Sequence, residues 1–164
     1  MEVAFYAAGS VAVIATAMVI TRTNAIHALL YMILSLLSVA LIFFILGAPF
    51  LAALEIIIYA GAIIVLFVFV VMMLNLRPGA GDSDTFWTRP RSVLGPALLA
   101  AILLAELIYV LVQTETAPAA GIAQSPGQVS VSLFGPYLLG VELSSILLLA
   151  GLIGAYHLGR RQQR

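Results

Sequence analysis

Three glutamates lie inside long apolar stretches of this chain, and they are the residues best placed to carry proton chemistry. Glu55, Glu106 and Glu142 occupy such stretches, whereas the other acidic residues fall in polar segments. A carboxyl group surrounded by hydrocarbon loses much of the solvation of its charged form, so it can bind and release a proton near physiological pH. These three glutamates are therefore candidates for a proton path.

Each acid also has a structural interpretation. Glu55 lies near the start of its apolar stretch, where its side chain could extend to the membrane surface. Glu142 is flanked by a glycine and two serines, which favours a hydrogen bond to a neighbouring helix. Glu106 and Glu142 lie on consecutive stretches and could face one another if those helices pack together. The chain has no lysine, so it lacks the alternating series of lysine and glutamate that we would expect of a self-contained proton pump.

The apolar stretch that contains Glu55 also contains a tyrosine and a group of small residues. Tyr59 follows Glu55 by four residues, so a helix would place hydroxyl and carboxylate on one face. The small residues Ala60-Gly61-Ala62 allow another backbone to approach, and Gly61 among β-branched residues weakens the local α-helical preference. The segment is a candidate for a kink or a π-bulge. Ordinary close packing at Gly61 is the alternative interpretation.

Five apolar stretches of membrane-spanning length position these groups. About 20 residues at roughly 1.5 Å each cross a hydrocarbon core of about 30 Å. The chain is 63% hydrophobic and 9% charged, with a mean hydropathy of +1.18, which is typical of membrane proteins. The sequence predicts an all-α integral membrane protein, a single membrane domain over residues 1–164, with helices at about 3–20, 25–46, 51–76, 93–112 and 134–156.

The basic residues predict the orientation in the membrane. All seven are arginines, and with five crossings they fall in the first loop, the third loop and the C-terminal tail. By the positive-inside rule these three parts are cytoplasmic and the N-terminus lies outside. The loop 77–92 is then inside and the loop 113–133 outside. The end of that outer loop, VSVSLF, alternates in polarity, which is typical of a short strand.

Composition also excludes several kinds of chemistry. The chain has no cysteine, so no thiolate-held iron–sulfur cluster or disulfide is expected within it. Its two histidines, His27 and His157, are too far apart in sequence to indicate a metal or haem site. Net charge is zero, which gives no basis for nucleic-acid binding. We expect no catalytic residue, metal or cofactor on this chain.

The pattern as a whole is similar to a known family. The segments NAIHALLYMILSLLSVALIFFILGAPF, ALEIIIYAGAIIVLFVFVVMMLNL and SLFGPYLLGVELSSILLLAGLIGAYHLGR resemble subunit J of bacterial NADH:quinone oxidoreductase (respiratory complex I), the counterpart of mitochondrial NADH dehydrogenase subunit 6. The third-helix segment is the most specific of them. The helix at 93–112 and its flanking loops are less distinctive.

The resemblance implies a five-helix subunit of the bacterial inner membrane. It implies packing against lipid and against subunits A, H, K and N of the membrane arm, with L as a further candidate. The complex uses NADH, FMN, iron–sulfur clusters and a quinone, which other chains would hold. The resemblance also implies a π-bulge in the third helix, formed by Tyr59, Ala60, Gly61, Ala62, Ile63, Ile64 and Val65. Conversion of such a bulge to α-helix would open or close a water path for protons.

The sequence therefore predicts a non-redox subunit of a proton-translocating NADH:quinone oxidoreductase. Its third helix would act as a gate, and Glu55, Tyr59, Glu106 and Glu142 are candidates for the proton path. Two alternatives stay open: a subunit of a multisubunit cation/proton antiporter, and a purely structural membrane subunit. The identity of the quinone, the proton stoichiometry and the protonation states of the acids are not encoded in any local pattern.

Overall fold

The structure, a computed structural model, describes residues 1–73, 90–116 and 125–159, and apart from short turns these residues are helical. Residues 77–89 of the predicted inner loop lie outside these ranges. Among the arginines, the side chain of Arg22 alone is described. Eight helical elements occur within them: α1 (Glu2–Thr21), α2 (Ala25–Ile45), α3 (Pro49–Leu54), the π segment (Glu55–Ile63), α4 (Ile64–Met73), α5 (Pro90–Thr116), α6 (Pro126–Phe134) and α7 (Leu138–Gly159).

Five stretches of these helices are long and apolar enough to cross a membrane. They are Glu2–Thr21, Ala25–Ile45, Pro49–Met73, Val93–Gln113 and Leu138–Gly159. The third of them joins α3, the π segment and α4 without a break. The predicted all-α architecture with five helices of membrane-spanning length is thereby confirmed.

The chain forms two compact units, Met1–Ala123 and Gln124–Arg164. In the first unit α1 packs along α2, while α2 also contacts α3, the π segment, α4 and α5. The centre of this unit is apolar and consists of Ala8, Val11, Ala15, Leu34, Leu41 and Leu103. In the second unit α6 packs against α7.

Short turns set the antiparallel arrangement of the first three spans. The Asn24 side chain caps α2 by accepting hydrogen bonds from the backbone N–H groups of Ile26 (3.0 Å) and His27 (3.5 Å). At the other end of α2, Gly47 takes a positive φ of 80°. The N–H of Ala48 then bonds the carbonyl of Phe43, and that of Gly47 the carbonyl of Phe44, which is a Schellman ending.

One hydroxyl pair joins α1 and α2 beside the apolar core. Thr16 Oγ1 and Ser35 Oγ lie 2.8 Å apart, and both hydroxyls also approach the carbonyl of Ala12. Because lipid tails do not drive helices together, close packing and such interhelical hydrogen bonds stabilise the pairing.

The segment VSVSLF is helical, so the expectation of a short strand there is wrong. Ser125 caps α6: its hydroxyl accepts from the backbone N–H of Gln128, whose side chain accepts from the backbone N–H of Ser125. Pro126 occupies the first helical turn, where its missing N–H costs nothing. This capping box outweighs the alternating pattern that follows it.

α6 ends abruptly before α7. Gly135 follows the last residue of α6 with φ −107° and ψ −105°. A Cβ atom at this position would lie 2.7 Å from the carbonyl oxygen of Val131, closer than side chains tolerate. Only glycine fits this junction without a shift of the backbone.

Candidate functional site: the π segment and the intramembrane acids

The third span changes its hydrogen-bonding pattern at Glu55. From Glu55 to Ile63 the backbone is π-helical, with α-helix on both sides. Tyr59 to Ile63 lie within this segment, whereas Ile64 and Val65, which the resemblance places in the bulge, lie in α4. A π-helical turn contains more residues than an α-helical turn. The side chains of α4 therefore point in directions rotated about the helix axis from those that an uninterrupted α-helix would give them.

Gly61 occupies a tight position inside the π segment. A Cβ atom built at Gly61 would lie 3.2 Å from the carbonyl oxygen of Ile56, five residues earlier. That carbonyl is the partner of residue 61 in an i→i+5 pattern, so glycine relieves crowding that the π geometry itself creates. The β-branched residues around Gly61 disfavour the α-helix but do not explain this contact, which the sequence alone does not reveal.

Glu55 and Tyr59 lie at the outer surface of this subunit. The Glu55 side chain is half-buried at the first position of the π segment, and Tyr59 is 48% exposed. The π segment contains no buried residue, although Ala52 before it and Ile64 after it are both buried. The segment therefore presents most of its side chains to whatever surrounds the chain in the membrane.

An apolar cavity of about 300 Å³ lies beside the start of the π segment. Ile56 and Ala52 form one wall, and residues of α2 and α5 form the others. Its lining is Leu34, Leu37, Ala40, Leu41, Phe44, Ala52, Ile56, Ala100, Leu103, Leu104 and Leu107. A lining without polar groups cannot orient a polar ligand, so we assign no site to this cavity.

Glu106 differs from the other acids because it is enclosed. It is 8% exposed and lies on the side of α5 that packs against α1. Both carboxyl oxygens are buried and lack a hydrogen-bond partner among the described residues. The main chain of Ala8 on α1 lies close to the carboxyl, but its geometry does not make a hydrogen bond to it.

Glu142 belongs to the second compact unit, and the expectation that it faces Glu106 stays a prediction. It is exposed on α7, where the hydroxyl of Ser145 donates to its main-chain carbonyl (2.7 Å) and that of Ser144 donates to the carbonyl of Gly140 (2.7 Å). Both serine hydroxyls are thus bonded within their own helix. The Glu142 carboxyl is left available to a neighbour.

Tyr31 is a buried residue that the sequence reasoning missed. It is 3% exposed, its ring lies 5.5 Å from the guanidinium of Arg22, and its hydroxyl abuts Gly95 on α5. Pro96, the next residue, is buried within α5. A tyrosine in one helix and a Gly-Pro pair in another carry no local sign that they meet.

Comparison with known sequences decides the family. Residues 15–158 match the family described as NADH-ubiquinone/plastoquinone oxidoreductase chain 6. The chain belongs to this family. The match covers all five membrane-spanning helices in whole or in part, including the π segment and the three intramembrane acids.

Full-length relatives agree with this assignment. A Pseudomonas aeruginosa protein named NADH-quinone oxidoreductase subunit J is 55% identical over 165 residues, which cover 100% of this chain and 99% of the relative. The Escherichia coli K12 protein of the same name is 52% identical, over 99% of this chain and 89% of its own length. A Buchnera aphidicola relative is 46% identical over 97% and 94% of the two chains. The chain is thus a member of the complex I subunit J family, with the helices of a multi-pass membrane protein.

Proposed function

We propose that this chain is a non-redox membrane-arm subunit of a proton-translocating NADH:quinone oxidoreductase, in which the π segment gates a proton path. The family match and the names of the relatives support membership of this complex. The single observation that supports the gate is the π-helical stretch Glu55–Ile63 in the middle of a membrane-spanning helix. NADH, FMN, iron–sulfur clusters and quinone then bind to other subunits.

The gate would work by rotation. If the π segment relaxes to α-helix, the residues after it turn by roughly 100° about the helix axis, since an α-helix has 3.6 residues per turn. The exposed side chains of α4, such as Val65 and Phe67, would then exchange places around that axis. Bulky apolar side chains in one state and smaller ones in the other would exclude or admit water.

The acids would supply proton-binding groups along the path. Glu55 and Tyr59 lie within the π segment, so its conversion changes their relative orientation. Neither side chain makes a hydrogen bond within the described part of the chain, so both can be served by water or by another subunit. Glu142 on α7 is exposed and open to the same kind of neighbour.

The family and the distribution of the arginines support a proposed placement in the cell. We propose the bacterial inner membrane, with the N-terminus outside and the tail in the cytoplasm. We propose subunits A, H, K and N, with L as a further candidate, and membrane lipid as the neighbours that cover the exposed apolar faces of α4 and α7.

Substitution of Gly61 tests the gate. Gly61→Val adds a branched side chain where even a Cβ lies 3.2 Å from the Ile56 carbonyl, so it should bias the third span away from the π form. We expect assembly of the complex to persist while NADH:quinone activity and proton pumping fall by about tenfold, the effect of roughly 1.4 kcal/mol on a conformational equilibrium. Both rates are measured on purified complex in vesicles.

Matched variants separate the alternatives. Gly140→Ala is the control, because a Cβ at Gly140 meets nothing within 4 Å. Glu55→Gln keeps the shape of the side chain while removing its proton chemistry. Failure of both Gly61→Val and Glu55→Gln to assemble would favour a purely structural subunit. An ion-exchange activity that needs Na⁺ or Li⁺ and not NADH would favour the antiporter alternative.

A further inference from the structure

Glu106 occupies a position that the packing of α1 and α5 reserves for an apolar side chain. On α5, Leu103, Glu106 and Val110 share one face and are 7%, 8% and 0% exposed. On α1, Ala4, Ala8, Val11 and Ala15 recur at the spacing of one helical face and are all at most 4% exposed. We call these seven residues the α1–α5 seam.

The seam residues of α1 face α2 as well as α5, because α1 packs mainly along α2 and also contacts α5. Alanine at three of the four α1 positions lets these neighbouring helices approach α1 closely, as small residues do in membrane helix pairs. The main chain of Ala8 lies against the Glu106 carboxyl, and Ala8 itself is 0% exposed. Both oxygens of the carboxyl are buried and without a hydrogen-bond partner in the part of the chain that the structure describes.

Among residues 1–73, 93–113 and 125–159, no charged side chain faces the seam to compensate a carboxylate. The seam residues of α1 are apolar, and Glu2 and Tyr6 of the same helix are exposed. The buried titratable residue of α2 is Tyr31, whose hydroxyl abuts Gly95, about 16 Å along α5 from Glu106 at 1.5 Å per residue. Along α5 itself, Tyr109 is half-exposed and its hydroxyl bonds Gln113.

The physical consequence concerns the charge of Glu106. An ionised carboxylate that is enclosed, unpaired and without hydrogen bonds costs far more than the neutral acid at the same place. A buried acid in a membrane helix therefore keeps its proton until a partner or water reaches it.

We propose that Glu106 is a proton-binding site within the α1–α5 seam, occupied while the seam is closed. Release breaks the O–H bond of the carboxylic acid, passes the proton to a water molecule that enters the opened seam, and leaves a carboxylate. Opening must give water access to the carboxyl, because both of its oxygens are buried in the closed seam. This site assigns a specific role to one residue of the proposed function. Proton binding by Glu106 does not depend on that function, but the place to which the proton is released does.

The test measures the carboxyl group itself. Infrared difference spectra of the assembled complex in lipid vesicles, recorded between oxidised and NADH-reduced states, contain carbonyl bands of any protonated acid whose surroundings change. We expect a band that is lost in Glu106→Gln, shifted in Glu106→Asp and retained in the control Gly140→Ala, where an added Cβ meets nothing within 4 Å. If Glu106→Gln does not assemble, a shift of the carbonyl band in Glu106→Asp tests whether the band belongs to residue 106. A spectrum that neither variant changes would overturn the site.

Assembly gives an independent measurement of the same inference. A neutral acid without partners should be replaceable by Gln or Met with no loss of complex from the membrane, since neither leaves a charge unpaired. A carboxylate held in an ion pair would give the reverse, with Glu106→Met strongly depleted, and that result would overturn the proposal.

Proton pumping separates this site from the proposed function. A lost carbonyl band together with unchanged pumping would uphold the site and remove Glu106 from the path of the pump. Lost pumping in Glu106→Gln with every carbonyl band intact would overturn the site and leave the proposed function standing.

Discussion

Single residues control how closely α2 and α5 approach. Tyr31 places its hydroxyl against Gly95, where a Cβ atom would collide with that oxygen but would lie 3.4 Å from the ring carbon that bears it. The collision therefore comes from the hydroxyl rather than from the ring. Gly95 is thus required by one oxygen atom on another helix.

This contact predicts a rescue. Gly95→Ala should destabilise the subunit by about 1–3 kcal/mol, the usual cost of overpacking, and lower the amount of assembled complex. Tyr31→Phe removes the hydroxyl and should restore assembly in the double variant, a coupling that a double-mutant cycle on thermal unfolding of the complex measures. Gly140→Ala, with open space around it, is the control. Additive effects of the two substitutions would contradict the contact.

The same scale explains what the sequence could and could not predict about the acids. Glu55, Glu106 and Glu142 were identifiable because charges inside apolar stretches are rare. The enclosure of Glu106 was not, since it depends on which face of α5 meets α1, and a helix that is apolar all round has no polar side to indicate its packing face. The recurrence of Ala4, Ala8, Val11 and Ala15 was the available signal.

At the scale of elements, hydropathy predicts the membrane-spanning helices, and capping residues in the turns determine where those helices begin and end. Asn24 and Gly47 are recognisable helix signals, and both act as caps in the structure. α6 was missed because polarity alternates along it, while its helical start is encoded by Ser125, Pro126 and Gln128. Capping chemistry is the better guide for a nine-residue helix.

Removal of the cap should release the start of α6. Ser125→Ala deletes the hydroxyl that accepts from Gln128 N–H and should weaken the first turn by about 0.5–2 kcal/mol. Amide hydrogen exchange of residues 127–129 in the complex should accelerate accordingly, while that of α7 stays unchanged. Ser125→Asp keeps an acceptor and serves as the control. Equal exchange in Ser125→Ala and the parent chain would contradict the role of the cap.

At the scale of the molecule, the proposed orientation is open to labelling because the chain has no cysteine. The turns at residues 22–24 and 46–48 lie at opposite ends of α2, whose 21 residues span about 30 Å. We expect Thr23→Cys to react with a membrane-impermeant maleimide from the cytoplasmic side and Ala48→Cys from the outer side. The cysteine-free parent chain is the control, and the label is read on this subunit after its isolation. The opposite pattern would invert the proposed topology.

The π segment also determines where this chain can change in length. In α1, α2 or α5, deletion of one residue turns everything beyond it by about 100° and moves buried side chains out of their contacts. Within Glu55–Ile63 the same deletion can be absorbed by return of the wide turns to α-helix, so that both flanking helices keep their faces. The third span is therefore the place where evolution or an engineer can remove one residue from a membrane helix without repacking the rest.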